Sequence, residues 1–273
     1  MLTYTVYSEA GGVGKSTLAA TLAAAHSRSG DEVLLIDLDP QDGSVSYLLD
    51  VVEDRQDPEA DNLARHMVGD ARGSFQDLVR TTDQSIDIIP NHAELETLTE
   101  WLIRAEQRND WSEGERYEQL LRVLQEADVN EDYDVIIVDP PATTGPHLYN
   151  AIHATRSLVL PIELSGKGKQ SIEGLAGLVE SMEDTLDISI GVLAIVPNGN
   201  KMTNDQEAYL EEIEDLGYDA PVVIRDRASL MEASWDEQCT PFTYAQVHRT
   251  AKRPYELETL EKFEELAAYF KEQ

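Results

Sequence analysis

The chain of 273 residues is long enough for one large α/β domain, or for two small domains, with a well-buried core. Its formal net charge is -32, from 53 acidic and 21 basic residues, but 41% of the residues are hydrophobic, which excludes a disordered acidic protein. An acidic, lysine-poor and folded chain indicates a surface adapted to high salt, where self-repulsion is screened; an ordinary acidic protein is the alternative.

The sequence lacks features that define several other classes of protein. A single cysteine, Cys239, cannot form an internal disulfide or hold zinc or an iron–sulfur cluster alone, so we expect a small buried side chain. No segment approaches the roughly 20 apolar residues that span a bilayer. The first residues do not resemble a secretory signal. We therefore expect a cytoplasmic protein.

Seven short apolar blocks recur along the chain, separated by turn residues and helical patterns. They are residues 3–7, 33–37, 86–90, 135–139, 157–162, 190–197 and 221–224. Their apolar residues are continuous rather than alternating, which is typical of strands covered on both faces. The sequence therefore predicts an α/β fold, with a mostly parallel twisted sheet and helices on both faces.

The segments between the blocks predict helices and loops. Residues 18–25 have the spacing of a helix with one apolar face, and Gly30 suits its C-terminal cap. Residues 51–73 are acidic and contain turn formers, so we expect a loop or short helices there. Helix formers dominate residues 95–127, and residues 256–273 predict a closing amphipathic helix. No linker divides the chain, so residues 1–273 are expected to form a single domain.

The stretch EAGGVGKST at residues 9–17 has the composition of a phosphate-binding loop between a strand and a helix. Glycines let consecutive backbone N–H groups converge on phosphate oxygens, and the following helix directs its positive end at the same anion. Lys15 would contact the β- and γ-phosphates, Ser16 would reach Mg²⁺, and Thr17 would hold the α-phosphate. A glycine cluster that only forms a turn is the alternative. The predicted nucleotide contacts here are Gly11, Gly12, Val13, Gly14, Lys15, Ser16 and Thr17.

This loop resembles the deviant Walker A loop of the ParA/MinD family of P-loop ATPases, whose pattern is KGGxGK(S/T). The segment VLLIDLDPQ at 33–41 is similar to that family's second strand and first switch, and YDVIIVDPPATTG at 133–145 is similar to its Walker B strand and second switch. Residues 86–91 and 227–234 give weaker matches. The resemblance implies a P-loop NTPase fold, ATP and Mg²⁺ as cofactors, and a slow Mg²⁺-dependent ATPase.

One position departs from the family pattern. Ala10 occupies the place of the signature lysine, which in the family reaches across a nucleotide-sandwich dimer to the partner's phosphates. The usual contact between subunits therefore cannot come from position 10. Without this lysine, the alternative is a protein that dimerises weakly and acts as a slow switch or as a regulatory partner of a standard relative.

Polar residues at strand ends are the remaining site candidates, since open parallel sheets bind ligands at that edge. The resemblance implies that Asp39 positions or activates the attacking water, and that Asp139 binds Mg²⁺ through water. It also implies that Asn198 contacts the base, although Pro-Asn-Gly is a strong turn signal too. Asp37 is either functional or a turn-capping residue. The predicted metal contacts are Ser16, Asp39 and Asp139.

Two groups of basic residues stand out in this acidic chain. Lys167 and Lys169 lie in LSGKGKQS. We hypothesise that one of them supplies a cation to a partner's nucleotide or to DNA; the alternative is that the segment is a solvated loop. The segment HRTAKRPY contains His248, Arg249 and two further cations. The resemblance implies a surface for nonspecific DNA there, whereas a solvated face or internal acid partners are the alternative. The second group is His248, Arg249, Lys252 and Arg253.

The resemblance favours a ParA-like ATPase that partitions or positions DNA or another cargo. It implies an ATP-dependent homodimer, nonspecific DNA and a ParB-like activating partner. Membrane binding is disfavoured because the closing helix is acidic. An enzyme that carries an iron–sulfur cluster is disfavoured because Cys239 is the single cysteine. A metabolic ATPase or ligase of the same class stays open, since the sequence does not identify a substrate pocket.

Overall fold

The computed structural model describes all residues except 83, 110, 113, 165, 202, 216 and 252, and additionally leaves the side chains of 166–173, 175, 176, 204, 205, 212 and 214 undescribed. The described residues form a seven-stranded sheet. Its strands are β1 Leu2–Val6, β2 Val33–Asp37, β3 Arg80–Thr81, β4 Asp87–Ile89, β5 Val135–Asp139, β6 Ser157–Glu163 and β7 Gly191–Asn198. In space they follow the order β3-β4-β2-β5-β1-β6-β7, and all pairings except β3 with β4 are parallel.

Helices flank this sheet, as the continuous apolar strands predict. They are α1 Lys15–Arg28, α2 Val45–Leu48, α3 Leu63–Met67, α4 Leu98–Asn109, α5 Gln119–Glu126, α6 Val129–Asp132, α7 Pro146–Thr155, α8 Gly166–Leu186, α9 Asn204–Asp215, α10 Ala228–Asp236, α11 Pro241–Thr243 and α12 Pro254–Phe270. Among the helices of the described residues, none has both the length and the apolar character of a membrane-spanning segment. The predicted fold class is confirmed.

Helix α1 is positioned by its small side chains. Residues 18–26 are all buried, and the alanines among them let the helix lie close to the sheet and to α12. At the far end of the same core, the Phe270 ring meets the Tyr4 ring edge-on with centroids 5.2 Å apart. Gly30 adopts a φ of +93° just beyond the helix, as predicted for its C-terminal cap. This packing fixes the helix start, where the phosphate-binding loop lies.

The structure differs from the sequence prediction at three segments. Residues 221–224 are not a strand: Val222 and Ile224 are buried, but this segment runs beside β7 with few backbone hydrogen bonds, such as Ile224 N–H to Pro197 O at 2.8 Å. Burial alone therefore produced the apolar pattern. Strand β3 was missed because it has only two residues. The loop expected around Lys167 and Lys169 is also wrong, because α8 begins at Gly166.

Candidate functional site

The phosphate-binding loop lies at the carboxyl edge of the sheet, directly after β1. Gly12 and Gly14 have φ angles of +79° and +88°, in the left-handed region that favours glycine. Gly14 is also the N-terminal cap of α1, whose first turn carries no acidic residue. The free N–H groups of this helix start therefore face the loop without a competing carboxylate, as an anion site requires.

Asn198 contacts the loop directly at the end of β7. Its side-chain N–H donates to the Val13 carbonyl at 2.8 Å, and its side-chain oxygen accepts the Gly199 N–H at 3.0 Å. A Cβ at Gly14 would lie 2.7 Å from the Asn198 amide nitrogen, so only glycine permits this approach. Asn198 thus fixes the shape of the loop in this structure, and its predicted contact with a base stays a prediction.

Two strand-end aspartates lie side by side at this edge. Asp37 of β2 and Asp139 of β5 are paired in the parallel register, and both side chains are fully buried. Burial raises the pKa of each carboxyl group above its usual range, and the negative charge of Asp37 raises the pKa of Asp139 further. Asp39 acts in the same direction on Asp139, while Ser16 and Lys15 oppose it. The two carboxyl groups therefore resist carrying negative charge together unless a cation is bound beside them.

The Asp37 carboxylate is held by hydrogen bonds from its own chain. It accepts the Ser44 and Ser46 hydroxyls, the Ser46 N–H at 2.9 Å and the Asp39 N–H at 3.0 Å. These four donors lower its pKa against the larger effect of burial. Asp37 thus organises the loop between β2 and α2, which agrees with the turn-capping alternative.

The Asp139 carboxylate has the opposite environment. Neither of its oxygens has a partner in full hydrogen-bonding geometry among the described residues, but the Ser16 hydroxyl lies near enough to lower its pKa as a donor, and the charge of Lys15 acts in the same direction. A buried carboxylate without partners is costly, since desolvation is not compensated. The site is therefore shaped for a cation or donor other than the described side chains.

Asp39 lies in the loop that follows Asp37, with its side chain half-buried. One carboxylate oxygen accepts the Gln41 N–H at 3.0 Å. The Asn91 side chain donates to the carbonyls of Asp39 and Gln41, each at 2.9 Å, and Arg55 pairs with Asp42 and donates to the Pro40 carbonyl at 2.6 Å. Asn91 and Arg55 support this loop, although neither role was predicted from the sequence. The available signal was a polar residue after β4.

A cleft of about 600 Å³ opens beside the phosphate loop. It is bounded by the loop, by Asn198 and by residues 225–228, and Met231 and Trp235 of α10 form another wall. The Trp235 indole N–H donates to the Thr17 hydroxyl oxygen at 2.8 Å, and its ring stacks on Tyr47. The volume and the polar rim suit a nucleoside placed next to phosphates. Trp235 was not predicted from the sequence as part of the site.

The predicted basic surface near the C-terminus consists largely of paired charges. Arg249 donates to the buried Glu256 at 2.6 Å, Arg253 lies 3.4 Å from the same carboxylate, and His248 lies 3.3 Å from Glu237. Lys252, and the side chains of Lys167 and Lys169, lie outside the described residues. Arg249, Arg253 and His248 therefore pair with acidic residues of the same chain, which is the alternative that the sequence left open.

The fold and the loop define a P-loop nucleotide-binding protein. A family model described as an AAA domain matches residues 1–192, and the chain belongs to this family. It is 25% identical over 226 residues to an uncharacterized protein of Methanocaldococcus jannaschii, covering 82% of this chain and 83% of that protein. It is 30% identical over 178 residues to the chromosome-partitioning ATPase Soj of Thermus thermophilus, covering 65% of this chain and 59% of Soj.

Solved structures agree on the fold. The Cyanothece McdA protein in complex with ATP has a TM-score of 0.77 at 20% identity, covering 99% of this chain and 96% of that one. The septum site-determining protein MinD of Pyrococcus horikoshii, complexed with Mg-ADP, has a TM-score of 0.69 at 19% identity, covering 97% and 94%. These structures share the fold of this chain, in agreement with the family match.

Proposed function

We propose that this chain is an ATP-binding and ATP-hydrolysing ParA-like switch that partitions or positions DNA or another cargo. The unpartnered carboxylate of Asp139, buried beside Ser16 and Lys15 of the phosphate loop, carries this proposal. A hard cation bound to a triphosphate prefers carboxylate and hydroxyl oxygens, and Asp139 and Ser16 supply these. The residues present therefore fit Mg²⁺ and a nucleotide.

Each residue has a separate role in this proposal. Backbone N–H groups of Gly11, Gly12, Val13 and Gly14 bind phosphate oxygens, Lys15 neutralises the β- and γ-phosphates, and Thr17 holds the α-phosphate. Ser16, Asp139 and Asp39 hold Mg²⁺, directly or through water. When bound, Mg²⁺ neutralises charge that develops on the phosphate oxygens. Asp39 orients the attacking water, and Asn198 contacts the base.

The second switch follows Asp139 directly. Pro140 and Pro141 stiffen its start, since proline fixes φ, and Gly145 precedes α7. The Tyr7 hydroxyl donates to the Ala142 carbonyl at 3.4 Å, which joins this segment to the end of β1. A γ-phosphate would order this segment, and its loss would release it. Such a change is how the protein would signal.

The wider assignment follows from the same family. We propose residues 1–273 as a single domain of a cytoplasmic, salt-adapted protein that dimerises with ATP and responds to a ParB-like activating partner. Nonspecific DNA is a further proposed ligand. Because Arg249 and Arg253 share Glu256, their charges are partly neutralised within the chain. DNA binding through this surface should therefore be weak.

The test is titration calorimetry with Mg-ATP and Mg-ADP in molar KCl. Lys15→Ala should weaken binding by at least about 100-fold, because a charge-assisted contact to two phosphates is lost. Lys262→Ala is the matched control, since Lys262 of α12 does not line the cleft beside the loop. Wild-type protein that takes up no adenine nucleotide, or Lys15→Ala protein that binds normally, would refute the proposal.

Ala10 favours a second candidate, a weakly active regulatory switch. Its side chain is an exposed methyl group, and its backbone N–H donates to the Ser8 hydroxyl at 3.3 Å. Loss of one cation that stabilises the transition state can cost several orders of magnitude in rate. Ala10→Lys should therefore raise both ATP-dependent dimer mass in light scattering and the hydrolysis rate, by about 10-fold or more. An unchanged rate and mass would argue against this candidate.

A further inference from the structure

We propose that Trp235 is a positioning residue that orients the Thr17 hydroxyl toward a phosphate oxygen of a bound adenine nucleotide. Through Trp235, binding of that nucleotide is also transmitted to α2. This inference rests on the proposed nucleotide site. Thr17 belongs to the phosphate loop and α1, while Trp235 belongs to α10, 218 residues further along the chain. Their contact therefore joins two elements that the sequence does not connect.

The first step is the hydrogen bond between the two side chains. An indole N–H can only donate, so at 2.8 Å the Thr17 hydroxyl oxygen must act as the acceptor. Both side chains are partly buried at the wall of the cleft beside the phosphate loop. The bond fixes the rotation of the hydroxyl group, because one lone pair is directed at the indole.

The second step concerns the hydroxyl hydrogen of Thr17. No described residue accepts it, and this contrasts with Thr21 one turn later, whose hydroxyl donates to the Thr17 carbonyl at 2.5 Å. The Val13 carbonyl, which is the equivalent acceptor for Thr17, is bonded to Asn198 instead. Because the Thr17 oxygen already accepts a hydrogen bond and its hydrogen is available, this hydroxyl can donate to an anionic oxygen. In a phosphate-binding loop that oxygen belongs to the ligand.

The third step is the stacking of Trp235 on Tyr47. The two rings are nearly parallel, at 17°, with centroids 6.2 Å apart, and the Tyr47 carbonyl accepts the Gln238 side-chain N–H at 3.0 Å. Tyr47 lies on α2 next to Ser46, whose hydroxyl and N–H bind Asp37. A shift of Thr17 on ligand binding would therefore be transmitted through Trp235 to the loop that carries Asp39.

A fluorescence experiment tests this directly. Trp101 and Trp111 pack on a different core cluster, so Trp101→Phe with Trp111→Phe leaves Trp235 as the single tryptophan. Adding Mg-ADP in molar KCl should change the Trp235 emission by tens of per cent. Unchanged emission at an ADP concentration that calorimetry shows to be saturating would overturn the inference and leave the nucleotide site intact.

Calorimetry supplies the second measurement. Trp235→Phe keeps the aromatic ring for Tyr47 but removes the N–H donor, and it should raise the Kd for Mg-ADP by about 3- to 10-fold. The same change in a Thr17→Val background should have no further effect, because the bond is already absent. Trp101→Phe is the control. Equal Kd values for wild type and Trp235→Phe refute the positioning role alone, whereas wild-type protein without ADP binding refutes both proposals.

Discussion

Asp37 and Asp139 occupy equivalent positions on neighbouring strands, yet their surroundings are opposite. Each is the last residue of its parallel strand, and the two are paired in register. The Asp37 carboxylate accepts four hydrogen bonds from the following loop, whereas the oxygens of Asp139 have no partner among the described residues. Burial, which they share, therefore does not distinguish a structural carboxylate from a functional one.

The difference indicates that the two carboxylates have different roles at this edge of the sheet. Asp37 is satisfied within the fold, so it shapes the first switch and has little capacity left for a ligand. Asp139 is unsatisfied, so the fold bears a cost that a bound cation would remove. Asp39 stands between these extremes, with one oxygen bonded to Gln41. Changes at the three positions should therefore affect turnover, stability and binding differently.

The largest expected effect is on turnover at Asp39. Asp39→Asn keeps the shape of the side chain and can still accept the Gln41 N–H, but it removes the group proposed to orient water. The hydrolysis rate should fall by about 100- to 10,000-fold, with the Kd for ATP within about 3-fold of wild type. Single-turnover assays and calorimetry measure the two quantities.

Asp50→Asn is the control for this substitution. Asp50 is exposed just beyond α2, and its φ of 55° is one that asparagine tolerates. It changes the charge by the same amount near the same loop. Normal turnover in Asp39→Asn protein, or an equal loss in the control, would remove Asp39 from the mechanism.

The next effect separates the two paired carboxylates by stability. Without nucleotide and with EDTA, Asp37→Asn should lower the free energy of unfolding by about 1–3 kcal/mol, because the amide cannot accept all of the donors from Ser44 and Ser46. Asp139→Asn should raise it by a similar amount, since burial raises the pKa of Asp139 to about 8, and folding at pH 7 then requires a proton that the amide does not need. Urea unfolding at pH 7 in molar KCl measures both values.

Magnesium should reverse the ranking of these two variants. Mg-ADP should stabilise wild-type and Asp37→Asn protein by mass action, but it should stabilise Asp139→Asn protein much less. If both substitutions shift stability in the same direction, the contrast between a satisfied and an unsatisfied carboxylate is wrong.

Much of this site could be predicted from the sequence, because its main parts are local. The loop GGVGKST and the aspartates at the ends of β2 and β5 are contiguous patterns that encode their own backbone geometry. Trp235 and Arg55 could not be predicted, because each reaches the site from a distant segment and carries no pattern, whereas Asn91 offered only the weak signal of a polar residue after β4. The strand predicted at residues 221–224 is wrong for a related reason: an apolar run indicates that side chains are buried, but it does not show that the backbone pairs with a neighbouring strand.

The contrast between bonded and unbonded polar atoms also occurs within one side chain, His26 of α1. Its Nδ1 lies 3.2 Å from the Asp31 carboxylate, whereas its Nε2 is buried and has no partner among the described residues. Burial lowers the pKa of His26, and the Asp31 contact opposes this only in part. The folded protein therefore resists protonation that the unfolded chain accepts near pH 6.5.

The smallest predicted effect follows from this shift. Because the folded pKa is the lower one, the contribution of His26 to stability is complete above pH 6.5 and is lost as pH falls toward the folded pKa. Between pH 7.5 and 5.5, wild-type protein should lose about 0.5–1 kcal/mol more than His26→Gln protein, since the amide does not titrate. The other ionisable groups are the same in both proteins, so the difference between their urea unfolding curves isolates this ring. Parallel pH profiles would mean that the pKa of His26 is the same in the folded and unfolded chain, because the Asp31 contact compensates the effect of burial in full.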